Sequence, residues 1–212
     1  MSHSKELYDA ILTGNAKKAH VVTQAAIEVG IAPMELISGS MVPAMDEVGR
    51  LFEEEEYFVP ELLLAGRAMK SAMELLRPLM VASGEKMSAR VVIGTVKGDL
   101  HDIGKNIVGS MLEGSGFEVI DLGADVTPER FVSAVEGRQP EFVCLSALLT
   151  VTMPAMKTTI DALETAGLRT KVKVLIGGAP VTTEYARQIG ADGYSPSASG
   201  AVELVRGFLA GS

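Results

Sequence analysis

The sequence predicts an α/β protein in two parts, a four-helix bundle over residues 1–83 followed by a parallel sheet with helices on both faces over residues 90–212. Three observations predict it. Apolar residues recur at helical spacing up to about residue 83. Beyond residue 89, five short apolar runs alternate with helical stretches, the pattern of repeated strand-helix units. Between them Ser83-Gly84-Glu85-Lys86-Met87-Ser88-Ala89 breaks the helical pattern with small and polar residues, which places a linker at residues 84–89.

In the first part, Leu7, Ile11 and Leu12 share one face before the turn signal Gly14-Asn15. Ala19, Val22, Ala26 and Val29 make a second face before Gly30. Pro33 suits the first turn of a third helix, which continues through Leu36, Ile37, Met41, Met45 and Val48 to Leu51 and Phe52. Pro43 lies inside it and predicts a kink. A fourth helix starts near Val59-Pro60 and runs through Leu63, Met69, Met73 and Leu76. The turn before it carries Glu53 to Glu56, flanked by Phe52, Phe58 and Val59. Periodicity leaves two readings of those large residues open: bundle core, or a lid over a flat ligand.

The second part opens with the strand Arg90 to Thr95 and a helix through Ile107, Val108, Met111 and Leu112. There follow the strand 117–121, the helix 128–136, the strand 142–146 and the helix 153–166. The strand 172–176, the helix 182–189, the short strand 192–194 and the helix 199–209 complete the alternation. Five such units joined by right-handed crossovers give a flavodoxin-like (Rossmann-like) five-stranded parallel sheet. The carboxyl ends of its strands form one rim, where open parallel sheets bind ligands.

Composition narrows the function. The net charge of −8 over 212 residues argues against nonspecific binding to nucleic acid or to an anionic membrane, both of which reward basic surfaces. No stretch reaches the ~20 apolar residues of a membrane helix, and the amphipathic N-terminus lacks a signal-peptide core, so the chain reads as cytoplasmic. Cys144 is the only cysteine, which excludes an intrachain disulfide. Its apolar neighbours Phe142, Val143 and Leu145 make it a buried small hydrophobe.

The stretch Val96-Lys97-Gly98-Asp99-Leu100-His101-Asp102-Ile103-Gly104 joins the first strand to its helix and puts His101 on the rim. Asp99 could accept the proton-bearing ring nitrogen of His101 and leave the other nitrogen free to ligate a metal. Other readings of the loop stay open: a solvated histidine, Asp99 as a helix cap, or glycines 98 and 104 in a phosphate-binding turn. The spacing matches neither the dinucleotide nor the Walker pattern. Two further features reach the same rim. Ser146-Ala147-Leu148-Leu149-Thr150-Val151-Thr152 follows the third strand with its hydroxyls, and Gly177-Gly178 follows the fourth, leaving room for something slender. Each has an ordinary explanation as a cap or a turn. Their convergence on adjacent strand ends favours one shared ligand.

Asp99-x-His101-x-x-Gly104, Ser146-x-Leu148 and Gly177-Gly178, in this order, resemble the signature of base-off/His-on cobalamin-binding domains. The likeness is dense from Gly94 to Gly109, continues through Asp121-Leu122-Gly123, and reaches Leu51-Phe52 and Phe58-Val59-Pro60-Glu61-Leu62 in the bundle. It identifies the chain as similar to corrinoid methyl-carrier proteins of multi-component methyltransferases and to the cobalamin module of methionine synthase. The bundle then is a helical cap, and residues 90–212 form the cobalamin domain.

The resemblance implies residue roles. His101 is the lower axial ligand of cobalt, Asp99 holds its other nitrogen, and Thr152 extends that hydrogen-bond chain. Gly98, Asp102, Ile103 and Gly104 complete the ligand loop. Ser146 and Thr150 hydrogen-bond the displaced nucleotide tail, with Gly177 and Gly178 walling its slot, and Leu148 is a further cofactor-binding position. Phe52, Val59 and Leu62 cover the methyl-bearing face. Valine at 59 and threonine at 152 are conservative departures from the family pattern.

The implied cofactor is cobalamin, as methylcobalamin or cob(I)alamin, or a related corrinoid with its cobalt. The implied partners are a substrate-specific methyltransferase, a second methyltransferase acting on tetrahydrofolate or a thiol, and a reductive activase. Methanol, a methylamine, a betaine or an aromatic methyl ether would be the donor. The chain is a carrier subunit, too small to add the barrel of ~250 residues that a full transfer needs. Two alternatives share the architecture: a cobalamin-dependent regulator, which usually carries a basic DNA-reading helix absent here, and the small subunit of an adenosylcobalamin mutase, which leaves the cap unexplained.

Overall fold

The structure, a computed structural model, describes residues 3–83, 87 and 89–211. Most of the expected linker, residues 84–86 and 88, lies outside the described residues. The chain divides into two compact units, one of Met1–Ser88 with Ser110–Phe117, the other of Ala89–Gly109 with Glu118–Ser212. Ser110–Phe117, which follow the expected linker at 84–89, group with the first unit. These residues pack in the first unit, where Gly114 admits Met45 so closely that a β-carbon would lie 2.4 Å from its Cγ.

The first unit contains α1 (His3–Leu12), α2 (Ala16–Glu28), α3 (Pro33–Leu36), α4 (Val42–Glu53) and α5 (Val59–Ser83). Asn15 starts α2, its side chain accepting the Lys18 N–H at 3.0 Å. Leu7, Ile11, Val22, Leu36, Met45, Met69 and Leu76 are buried, as their spacing predicts.

The expected third helix differs in detail. A π-helical turn over Ile37–Met41 joins α3 to α4, with the Val42 N–H reaching back five residues to the Ile37 carbonyl. Pro43 lies in the first turn of α4, where its missing N–H costs nothing. The widened turn lies directly before the expected site of the kink.

The rest of the chain runs β1 (Arg90–Thr95), α6 (Ile103–Gly114), β2 (Glu118–Asp121), α7 (Pro128–Arg138), β3 (Phe142–Ser146), α8 (Pro154–Thr165), β4 (Lys173–Gly177), α9 (Thr183–Ile189), β5 (Gly193–Tyr194) and α10 (Ala198–Ala210), all in the second unit except the end of α6 from Ser110 on. All pairs are parallel, in the order β2-β1-β3-β4-β5. The α/β class and five-stranded parallel sheet expected from the sequence are thereby borne out.

Strands buried on both faces explain the near-continuous apolar runs. Val92, Val143, Leu145, Val174 and Ile176 pack with Phe131, Val135, Met156, Ile160 and Leu163 of α7 and α8. Cys144 is buried in β3, and burial pushes its thiol up to about 12, so it serves as a small apolar residue. Among the described residues no helix is long and apolar enough to cross a membrane.

This strand order sets the site. The chain steps from β1 outward to β2, then returns past β1 to β3, so the connections leave β1 and β3 in opposite directions. The loops after β1 and β3 thus flank a crevice at the carboxyl edge. Thr95 and Ser146, the last residues of these strands, are paired.

Candidate functional site

The loop after β1 is built around a buried carboxylate. Gly98 takes φ +85, a left-handed turn conformation that glycine adopts freely, and the Asp99 N–H closes the turn on the Val96 carbonyl at 3.1 Å. Asp99 is 0% exposed, whereas the His101 side chain is 51% exposed. Asp99 Oδ1 accepts the His101 backbone N–H at 3.1 Å and lies 2.8 Å from His101 Nδ1. Oδ2 accepts the N–H groups of Leu148 at 2.8 Å and Leu149 at 3.3 Å, and the Thr152 hydroxyl at 2.6 Å. That hydroxyl also lies 2.8 Å from the Leu149 carbonyl, so its one proton is shared between two acceptors. The Thr95 hydroxyl donates to the His101 carbonyl at 2.9 Å. Asp99 therefore ties the loop after β1 to the loop after β3.

Burial alone would raise the Asp99 pKa. Hydrogen bonds from Thr152, Leu148 and His101 outweigh that and hold the carboxyl well below the usual range. Asp99 is thus ionised at neutral pH and can only accept. In neutral His101 the proton sits on Nδ1 and faces Asp99, which leaves the Nε2 lone pair available.

Because the folded pKa is depressed, this stabilisation is complete above the unfolded value of about 4 and is lost as pH falls below it. Asp99→Asn is expected to cost ~2 kcal/mol at pH 7, the scale of hydrogen bonds to a charged group. It should also flatten the loss of stability below pH 4. Urea unfolding of the apoprotein at both pH values checks the sign, and an equally steep acid loss in Asp99→Asn would contradict it.

The other expected positions of the second unit lie at the carboxyl ends of β1, β3 and β4. Gly98, Asp102, Ile103 and Gly104 are exposed, and α6 begins at Ile103. Leu148 and Thr150 are exposed, and Ser146 is half-buried at the end of β3. Gly177 is the last residue of β4 and does not follow it, because Ser146 extends the ladder to it. Gly178 takes φ +132, and a β-carbon there would lie 1.9 Å from the Ala147 carbonyl oxygen. Leu100, Leu148, Leu149 and Val151 are exposed on the two loops flanking the crevice, and Ile103 is exposed at the start of α6. In the helical unit, Phe52 is half-buried, Val59 exposed and Leu62 buried.

Two supporting groups escape the sequence reading. Lys105 is buried in the first turn of α6, with Nζ donating to Asp121 Oδ2 at 2.5 Å and to Asn106 Oδ1 at 2.6 Å. It ties the start of α6 to the end of β2. Asp125 bonds the backbone of Gly98 and Asp99. A lysine in the first turn of a helix and an aspartate in a polar turn carry no local signal of these contacts.

A family model described as a B12 binding domain matches residues 89–203, more than half of the chain, and a second B12 binding domain model matches residues 4–77. The chain belongs to the B12-binding corrinoid proteins. Trimethylamine corrinoid protein 1 of Methanosarcina acetivorans is 43% identical over 95% of this chain and 94% of its own length. Dimethylamine corrinoid protein 1 of the same organism is 41% identical over 97% of both.

Among solved structures, a cobalamin-binding protein from Desulfitobacterium hafniense is 36% identical, with TM-score 0.77 over 97% of this chain and 98% of that one. The methanol:cobalamin methyltransferase complex MtaBC from Methanosarcina barkeri is 33% identical, with TM-score 0.88 over 99% of this chain and 80% of that one. The resemblance to corrinoid methyl-carrier proteins is borne out, and cobalamin is the cofactor of this B12-binding chain.

The residues on the rim of this corrinoid protein fit that cofactor. One exposed imidazole, its second nitrogen fixed by a carboxylate, would suit as a nitrogen donor to a macrocycle-bound metal. The exposed leucines, Ile103 and Val151 offer apolar surface to a corrin ring. At Gly178 the backbone comes too close to Ala147 for any side chain.

Proposed function

We propose that this chain carries a methyl group on base-off cobalamin coordinated by His101. It receives the group from a substrate-specific methyltransferase and delivers it to a second one that acts on tetrahydrofolate or a thiol. A reductive activase is the third partner. The arrangement at His101 carries the reading: Nδ1 faces a buried ionised carboxylate, and Nε2 is left for a ligand on the exposed rim. The trimethylamine and dimethylamine corrinoid relatives, at 43% and 41% identity, support a methylamine as donor ahead of methanol.

When bound, the cobalt supplies the centre on which a methyl group is accepted and released. The chain's own residues manage the ligand and its proton. Asp99 fixes the tautomer and direction of the His101 ring. The 2.8 Å contact between Nδ1 and Asp99 would leave Nε2 as the atom that holds the metal. The Thr152 hydroxyl and the Leu148 and Leu149 amides keep Asp99 ionised throughout. Ser146, Thr150, Gly177 and Gly178 are assigned to the nucleotide tail. Phe52, Val59 and Leu62 keep the guarding role that the resemblance implies.

The test uses the cobalamin-loaded full chain, reduced and treated with methyl iodide, then mixed with a methyltransferase acting on tetrahydrofolate or a thiol. Methyl transfer to one of these acceptors is expected, and trimethylamine or dimethylamine should replace methyl iodide once its own methyltransferase is added. Loaded protein that passes no methyl group to either acceptor overturns carriage. Loading by the methanol enzyme but by no methylamine enzyme overturns the assigned donor.

A further inference from the structure

We propose that Asp125 is a positioning residue for the His101 site, fixing the Gly98-Asp99 backbone from which the carboxylate directs the imidazole. The proposal rests on reading His101 as the cobalamin ligand. Asp125 lies in the loop between β2 and α7, far in sequence from the motif and exposed. Its backbone N–H donates to the Asp99 carbonyl at 2.9 Å, and its side-chain Oδ1 accepts the Gly98 N–H at 2.7 Å. One residue thus grips both ends of a two-residue segment. A single bond would let that segment pivot, whereas two bonds set its position and its rotation.

The grip is anchored from behind. Val126 is fully buried, donates its N–H to the Thr95 carbonyl at 2.9 Å and bridges to Val96 in parallel. Asp125 is therefore held against the end of β1 by its neighbour. Its φ of +53 turns N–H and carboxylate toward the same target. Aspartate and asparagine tolerate this left-handed conformation better than other residues with side chains, and both carry an acceptor of the right length.

The two ends of Asp99 are held by different loops. Leu148, Leu149 and Thr152 after β3 fix its carboxylate, and Asp125 after β2 fixes its main chain. With the main chain released, Oδ1 shifts relative to His101 Nδ1 and the ring loses its aim.

Two variants separate the acceptor from the backbone conformation. Asp125→Asn keeps both; Asp125→Gly keeps the left-handed backbone and removes the acceptor. In the apoprotein, Asp125→Gly is expected to speed hydrogen exchange of the Gly98 amide about 10-fold, on the scale of one lost charge-assisted bond, with the melting temperature nearly unchanged. In protein loaded with cob(II)alamin, it should weaken binding about 5-fold and diminish the histidine nitrogen splitting in the EPR spectrum. Asp125→Asn should stay within about twofold of wild type in both.

Wild-type binding and splitting in Asp125→Gly overturn the proposal, whatever happens at the Gly98 amide. So does an Asp125→Asn variant as impaired as Asp125→Gly. Absence of histidine splitting in the wild type overturns the reading of His101 itself, and this inference with it, whereas splitting present in the wild type and unchanged in Asp125→Gly sinks this inference alone.

Discussion

His101→Ala is expected to leave the fold standing while methyl transfer falls ~100-fold or more, the upper end of what removing support for a metal ligand costs. The protein should survive the change because the side chain is half exposed and builds no core. Asp99 keeps the backbone N–H of residue 101, two amides from the β3 loop and the Thr152 hydroxyl, so no buried charge is orphaned. The melting temperature should move by only a few degrees, as for surface changes of less than about 1 kcal/mol. Cobalamin should still associate through its ring and tail contacts, with the absorption spectrum of a form lacking a protein nitrogen. Thermal unfolding, the spectrum and a single-turnover transfer assay together check this, and transfer at the wild-type rate would refute the role of His101.

Gly178→Ala should be the most damaging small substitution in the site. The new β-carbon would lie 1.9 Å from the Ala147 carbonyl oxygen, in a backbone conformation that an alanine resists in any case. The clash is with main chain, so a rotamer change cannot relieve it. Relief must displace Ala147, whose N–H donates to the Gly177 carbonyl at 3.2 Å and whose chain neighbour Leu148 donates to Asp99. We expect a stability loss of ~3 kcal/mol or more and loss of cobalamin binding. Gly177→Ala is the control, because its β-carbon would meet Ser195 O at an ordinary 3.4 Å. It should cost less than about 1 kcal/mol. Equal melting temperatures for the two variants would refute this account of the crowding.

The sheet was legible in the sequence because buried parallel strands are written as short apolar runs, and the crossover helices between them carry their own period. The pairing of Asp99 with His101 was legible because both residues lie on one short loop. Thr152, 53 residues from Asp99, has no local signal and is placed beside it by the family resemblance.

What escaped lies where local pattern and three-dimensional contact part company. Pro43 reads as a kink, and nothing in its neighbours announces the π turn that lets it begin a helix instead. Gly177 reads as a turn residue yet completes the β4 ladder. Lys105 carries no local sign that it is buried against Asp121. Asp125 reads as one more polar turn residue, since its grip on Gly98 depends on a left-handed backbone that its sequence merely permits.

The bond between His101 and the cofactor metal is the claim on which the rest depends. It is tested most directly by EPR of cob(II)alamin bound to protein grown with ¹⁵N-histidine. The account predicts that the nitrogen splitting changes from the three lines of ¹⁴N to the two of ¹⁵N, and that it vanishes in His101→Ala. A three-line pattern that persists under the label would place the nucleotide base of cobalamin on the metal and contradict it.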